Sequence, residues 1–181
     1  MNADTSHLDL PIAAGRRAEW AAMLAERPPE KPAGDRQKIF IARLGAEWFG
    51  FPPTLLLATQ PDVRPRRLPH RQESTVEGLV NADGRVIVCL ALERIFGVVA
   101  QESTGDVPRL LIFQAANWTF AARVRHVRGV EEVNFDQMLP LSESTSENLR
   151  RCARGIVVHH GVAITCLAEE PLISRLVGIV R

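Results

Sequence analysis

A chain of 181 residues is long enough for one ordinary domain with a hydrophobic core, and too short for two comfortable ones. Apolar residues make up 46% of the chain and charged residues 24%, a composition that excludes an intrinsically disordered protein. The formal net charge is +1, so no overall field draws the molecule to nucleic acid or to an acidic lipid surface.

Several features of the sequence predict a cytoplasmic protein with no direct membrane insertion. The longest purely apolar run, residues 86–92, is too short to span a bilayer. Asp4, His7 and Asp9 stand where a signal peptide needs a basic start followed by an apolar core. The three cysteines form no C-x-x-C pair, which suits a reducing compartment, and two of them are expected to be small apolar core residues. They are Cys89, Cys152 and Cys166, of which Cys89 and Cys166 sit among Val, Ile and Leu.

The beginning of the chain has a composition of its own. Trp20, Met23 and Leu24 share one face of a helix predicted within residues 12–27, and six alanines in this segment favour the helix. The helix ends at Pro28 and Pro29, which begin a linker. We therefore predict an N-terminal helical extension and Pro-rich linker over residues 1–37, followed by one domain over residues 38–181.

From residue 38 the pattern changes to short β segments separated by turns. We predict strands over residues 39–44, 47–51, 54–60, 75–81, 85–92, 109–114, 118–127, 155–159 and 162–167. Asp83-Gly84 is the strongest hairpin signal, because Gly accepts a positive φ at little cost. Ala116-Asn117 and His160-Gly161 mark two more hairpins. This spacing predicts an all-β barrel or sandwich, in which the run of residues 86–92 is covered on both faces.

Helices are expected to be few and short in this domain. Ser144-x-x-Glu147 has the pattern of a capping box and predicts a short helix near residues 145–153. Pro171 is placed to stand in the first turn of a C-terminal helix over residues 171–177.

The sequence carries no recognisable catalytic or cofactor motif, and we predict a protein that is not an enzyme and holds no cofactor or metal. Gly-x-Ser-x-Gly and Gly-rich phosphate loops are both absent. His159 and His160 are adjacent, so on a strand they would point to opposite faces and could not share one metal. Aromatic residues are few, at 6%, and do not alternate with basic ones, which argues against binding to nucleic acid.

One small-molecule alternative stays open. Arg67 and Arg71 lie four residues apart in a basic stretch, and two guanidinium groups can grip a phosphate. Some cyclic-dinucleotide-binding barrels use such an Arg-x-x-x-Arg stretch, although their Asp/Asn-x-Ser-x-x-Gly element is absent here. A second alternative is an adaptor unrelated to receptors, which would bind its partner through the helix that carries Trp20.

Several short motifs together resemble a known family. The matching segments are Phe49-Gly50-Phe51 after an apolar strand, Leu68-Pro69, Gly78-Leu79-Val80-Asn81-x-x-Gly84-x-Val86-Ile87, Leu92 followed by Gly97, and Phe120-Ala121-x-x-Val124-x-x-Val127. Over about residues 38–178 the chain resembles the CheW-type coupling proteins of bacterial chemotaxis. Among these it looks most like the second coupling protein of Wsp-type surface-sensing pathways, which feed a diguanylate cyclase.

The resemblance implies a fold and partners. The family fold is two intertwined five-stranded SH3-like β-barrels. The implied function is a non-catalytic scaffold that joins the cytoplasmic tip of a methyl-accepting chemoreceptor to the regulatory domain of a CheA-type histidine kinase. Motif position places six residues near the partner-binding surfaces: Leu56, Ala58, Val80, Asn81, Asp83 and Arg85.

Several positions depart from the family pattern, among them Val88, which stands in place of a Pro. Asp83 replaces the Arg of Asn-Leu-Arg-Gly, and Ala58 stands where many members carry the Glu that faces this Arg. Ala91 and Arg125 each replace an Asp. The reversed charge at Asp83 predicts weaker binding to a standard kinase regulatory domain.

Overall fold

The computed structural model describes residues 34–68, 75–101 and 105–180, so the predicted helix over residues 12–27 lies outside the described part of the chain. Over these ranges the chain forms ten strands, three α-helices and one 3-10 helix. The strands are β1 (Arg36–Leu44), β2 (Glu47–Phe51), β3 (Leu56–Pro61), β4 (Val76–Ala82), β5 (Arg85–Leu90), β6 (Arg109–Ala115), β7 (Trp118–Val124), β8 (His126–Asn134), β9 (Ala153–His159) and β10 (Val162–Leu167). The helices are the 3-10 helix Pro53–Leu55, α1 (Leu92–Phe96), α2 (Glu147–Cys152) and α3 (Glu169–Val180).

The strands form two five-stranded sheets, and along the chain the strands of the second sheet lie between those of the first. The first sheet has the order β8-β1-β2-β10-β9, and the second has the order β3-β6-β7-β5-β4. The two ends of the domain therefore build the first sheet, and five consecutive strands build the second. β2 pairs with β10, and β5 with β7, in parallel, whereas the other pairs are antiparallel. The predicted all-β fold of two intertwined five-stranded units with a few short helices is confirmed.

Strand β1 shows why the strands are apolar on both faces. Its residues Ile39 and Ile41 belong to a small core inside the first sheet. Phe40, Ala42 and Leu44 alternate with them and join the largest core, which includes residues of both sheets and of all three α-helices. Because successive side chains point to opposite faces of a strand, one strand supplies two cores.

Strand β5 repeats this arrangement in the second sheet, with one correction to the prediction. Ile87 and Cys89 lie in the core inside that sheet, whereas Leu90 joins the large core between the sheets. Val86, however, is 67% exposed. Residues 86–92 were predicted to be covered on both faces of the strand, but this holds only for the residues after Val86.

Most of the predicted strands differ from the observed ones by one to three residues, and three of them differ because another element occupies part of the predicted run. Residues 53–55 form a 3-10 helix ahead of β3, and the residues after Leu90 turn into α1. The run predicted as one strand over residues 118–127 is two strands, because the chain passes at Arg125 from the second sheet to the first. The amide of Arg125 donates there to the carbonyl of Arg43, at 2.8 Å.

The cap of α2 differs from the prediction, whereas the C-terminal helix is present but begins two residues earlier and ends three residues later than predicted. Ser146, and not Ser144, precedes α2, and its Oγ accepts a hydrogen bond from the amide of Leu149 at 3.3 Å. The same hydroxyl donates to the carbonyl of Phe96 at the end of α1, a contact that no local pattern reveals. Pro171 stands in the first turn of α3, as predicted. Among the described residues, none of the helices has the length and apolar character that crossing a membrane requires.

Candidate partner-binding surface

The β4–β5 hairpin presents the motif that carries most of the family resemblance. Asp83 and Gly84 have φ angles of 49° and 79°, so both central residues of the turn are left-handed, as in a type I′ turn. The side chain of Asn81 closes the turn by accepting a hydrogen bond from the amide of Gly84, at 2.9 Å. The turn residues and Asn81 are exposed.

Gln60 is a member of this surface that the sequence did not indicate. Its Nε2 donates to Oδ2 of Asp83 at 2.7 Å, which ties β3 to the tip of the hairpin. Gln60 lies two residues after Ala58 and on the same face of β3. The polar contact between β3 and the hairpin tip is thus made by Gln60 and not by residue 58. Asp83 is the acceptor in this contact, whereas the family pattern has an Arg at its position.

The six residues predicted for partner binding fall into two groups. Asn81, Asp83 and Arg85 are exposed, so their side chains are accessible to a partner. Val80 is only 3% exposed and belongs to the core inside the second sheet. Leu56 and Ala58 are half-buried and pack against core residues. Of the six predicted residues, those that a partner can reach freely are therefore the ones at the hairpin tip.

Two exposed apolar side chains extend this surface across the second sheet. Val86 lies directly opposite Asn81 in the β4–β5 pair. Trp118 is 39% exposed, and its ring stacks on that of Phe120 with the ring centroids 6.4 Å apart. Phe120 follows Trp118 by two residues on β7 and pairs with Val88 of β5. Val88 and Phe120 contribute to the large core, so Val86 and Trp118 are the exposed continuation of the same face. We call Asn81, Asp83, Arg85, Val86 and Trp118 the hairpin surface.

A bulge exposes a further leucine at the edge of the second sheet. The register of β3 against β6 shifts between Leu56 and Ala58, which leaves Leu57 without a paired residue and 55% exposed. A bulge redirects side chains in this way. Three leucines follow one another at positions 55 to 57, and the sequence does not say which of them points outward.

The basic stretch after β3 passes so close to β4 that residue 78 has to be a glycine. Arg66 and Leu79 exchange backbone hydrogen bonds of 2.8 and 2.9 Å. A Cβ on Gly78, which has a φ of 147°, would lie 2.2 Å from the carbonyl oxygen of Arg66, so only Gly fits. Arg67 is exposed, and Arg71 lies outside the described residues. The cyclic-dinucleotide clamp stays a prediction.

A charged cleft lies beside β7. Burial raises the pKa of Glu77, and it raises the pKa of the Cys89 thiol to about 12, which keeps this thiol protonated at neutral pH. The cleft that Glu77, Arg123 and Arg125 help to line has a volume of about 40 Å³, which is room for a water molecule and too little for a substrate.

The expectation that His159 and His160 diverge is wrong. His159 ends β9, but His160 is a turn residue with a φ of 50°, so the alternation of a strand does not apply to the pair. Their ring centroids lie 4.1 Å apart. Nε2 of His159 is also 2.8 Å from Oε2 of Glu131 on β8, so that the three side chains form one cluster.

Comparison with known proteins places this fold in a family. A family model described as the CheW-like domain matches residues 38–177. The chain belongs to the CheW-like domain family. The crystal structure of the scaffolding protein TtCheW from Thermoanaerobacter tengcongensis is similar with a TM-score of 0.61, at 19% identity over 78% of this chain and 89% of that chain. At this identity the likeness shows the fold alone. Among curated proteins no significant match was found.

The family resemblance inferred from the motifs is thus confirmed, and the structure shows the surroundings of two of the departures in this CheW-like domain. Ala91 occupies the N-cap of α1, where it provides no side-chain hydrogen bond. An Asp at that position is a preferred cap, so the change removes a helix-capping group. Arg125, the second departure, contacts Glu93: its Nε lies 3.2 Å from Oε1 of Glu93. The same Oε1 accepts a hydrogen bond from the amide of Gly45 at 2.9 Å.

Proposed function

We propose that this chain is a non-catalytic cytoplasmic scaffold that couples a methyl-accepting chemoreceptor to a CheA-type histidine kinase in a chemotaxis-like or surface-sensing array. Family membership over residues 38–177 is the observation that carries the proposal. TtCheW, whose fold is similar, is likewise a scaffolding protein. Similarity to the Wsp-type coupling proteins belongs to the same proposal.

The hairpin surface supports a role in binding a protein partner. It combines exposed apolar side chains, Val86 and Trp118, with a polar rim at Asn81, Asp83 and Arg85. An apolar centre with a polar edge is the usual anatomy of a protein–protein interface. Individual contacts of a scaffold need not be strong, because many linked contacts in an array raise the effective affinity.

Reversing the charge at the hairpin tip tests the proposed kinase contact. The standard family has Arg where this chain has Asp83, so we expect Asp83→Arg to strengthen binding to a standard CheA-type regulatory domain by about fivefold, the effect of about 1 kcal/mol at an exposed charge pair. The measurement is biolayer interferometry with the purified regulatory domain and, separately, with a receptor cytoplasmic fragment.

Glu143→Arg is the matched control, since Glu143 is an exposed carboxylate in the loop before α2 and lies outside the hairpin surface. Its affinity for the kinase domain should equal that of the unmodified chain. If Asp83→Arg is folded by circular dichroism and binds no better than this control, position 83 is not part of the kinase contact. If neither fragment binds the unmodified chain, the coupling function itself is refuted.

A further inference from the structure

We propose that Glu131, His159 and His160 form a binding site for a divalent first-row transition metal ion, with Zn²⁺ as the best match. One ligand atom from each of the three side chains lies within 4.8 Å of the other two. Two imidazole nitrogens and one carboxylate oxygen are a donor set that Zn²⁺ takes readily, with one or more positions left for water.

The backbone brings the three ligands together from separate elements. His159 is the last residue of β9, and His160 begins the turn to β10, where His160 and Gly161 both have a positive φ, of 50° and 75°. This turn places the two rings on one side, with their planes at 61°. Glu131 comes from β8, which forms the opposite edge of the same sheet.

The distances leave only a small adjustment for an ion to enter. Ligands about 2.0–2.1 Å from a tetrahedral zinc stand about 3.4 Å from one another. Nε2 of His159 and Oε2 of Glu131 are 2.8 Å apart, so an ion would replace their hydrogen bond after a slight separation. His160 is exposed at the end of a hairpin, where its side chain can rotate toward the ion and where the ion can enter.

Arg128 tunes the site from one side. Its Nε lies 3.1 Å from Oε1 of Glu131, the oxygen not aimed at His159, while Nη2 lies 3.4 Å from Oε2. Such a partner fixes the orientation of a ligating carboxylate. The positive charge of Arg128 also repels the cation, so the site binds Zn²⁺ less tightly than the same three ligands would without Arg128.

A bound ion would join the two edges of the first sheet. β8 and β9 are the outer strands in the order β8-β1-β2-β10-β9, and the cluster spans them. An ion held by both strands connects the two edges of the sheet more firmly than the hydrogen bond between His159 and Glu131 does. Since it binds the folded chain and not the unfolded one, it should raise the melting temperature.

The test is calorimetric titration of the untagged, metal-stripped full chain with ZnCl₂, together with thermal melts with and without Zn²⁺. We expect one ion per chain and a higher melting temperature when Zn²⁺ is present. His160→Ala should weaken binding by more than about tenfold, because one of three protein ligands is lost. The exposed position of His160 leaves the fold intact in this variant.

His126→Gln is the matched control, since His126 contacts Trp48 and is not one of the three ligands. It should bind Zn²⁺ as the unmodified chain does. Glu131→Gln should weaken binding as His160→Ala does, and circular dichroism checks that it folds without its ion pair to Arg128. The proposal is refuted if the unmodified chain takes up no Zn²⁺, or if His160→Ala and Glu131→Gln both retain full affinity.

Discussion

Asp62 and Arg123 form a forked ion pair beside the charged cleft. Nε and Nη2 of Arg123 donate to the two carboxylate oxygens of Asp62 at 2.7 and 2.6 Å. The hydrogen bond from Arg123 holds the pKa of Asp62 below its usual value, despite partial burial. Since the side chains are 23% and 35% exposed, solvent screens the pair and limits its contribution to about 1 kcal/mol.

Asp62→Asn should therefore reduce the free energy of unfolding by about 1 kcal/mol at pH 7. A carboxyl group with a lowered native pKa stabilises the fold above its unfolded pKa of about 3.9, and this stabilisation is lost as the pH falls through the native value. Urea unfolding between pH 7 and pH 2 should show the two proteins converging at the acid end. Glu143→Gln, at an exposed loop position, is the control, and a difference that persists unchanged at pH 2 would contradict the prediction.

At the scale of elements, the start of α2 depends on a serine that touches another helix. Oγ of Ser146 accepts from the amide of Leu149 and donates to the carbonyl of Phe96, so one hydroxyl caps α2 and terminates α1. Ser144, two residues earlier, is exposed, and its hydroxyl pairs with that of Ser142 at 2.9 Å. The two serines are indistinguishable by residue type but differ in their structural roles.

Ser146→Ala should destabilise the chain by about 1–2 kcal/mol, because it removes a helix cap and leaves the Phe96 carbonyl with one partner fewer. Ser144→Ala should change the free energy of unfolding by less than about 0.5 kcal/mol, as is usual for an exposed position. Denaturant unfolding of the two variants side by side measures the difference. Equal effects would contradict the role assigned to Ser146, and a larger effect of Ser144→Ala would place the cap at Ser144.

At the scale of the whole molecule, the two sheets share their largest core. Phe40 and Phe49 of the first sheet and Phe113 and Phe120 of the second all belong to it. The rings of Phe49 and Phe96 stack at 5.6 Å, which adds α1 to the same packing. Each sheet also has a smaller core of its own, but the large core is complete only when both sheets and the helices are in place.

The domain should accordingly unfold as one cooperative unit. Trp48 lies in the first sheet and Trp118 in the second, so each reports on one of them. Two single-tryptophan variants, Trp20→Phe with Trp118→Phe and Trp20→Phe with Trp48→Phe, should each give a fluorescence transition that coincides with its own circular dichroism transition. A fluorescence midpoint that departs from the circular dichroism midpoint in either variant would show that the sheets unfold separately.

Features that depend on near neighbours along the chain could be predicted from the sequence. β2 and β10 have the predicted limits, and the turns at Asp83-Gly84 and His160-Gly161 take the left-handed backbone that their glycines favour. The motif around Gly78 and Asn81, together with several looser ones, indicated the family. Each of these signals is local, because φ preferences and strand alternation are properties of a few adjacent residues.

Which distant residues meet depends on how the strands pair and pack, and the sequence did not reveal it. The contact between Gln60 and Asp83, the outward turn of Leu57 at a bulge and the partner of Ser146 each depend on a second segment of chain. The same is true of the cluster of His159 and His160 with Glu131, since the ligands come from both edges of one sheet. A linear pattern records periodicity but not register, and register between strands fixes which polar groups come within hydrogen-bonding distance.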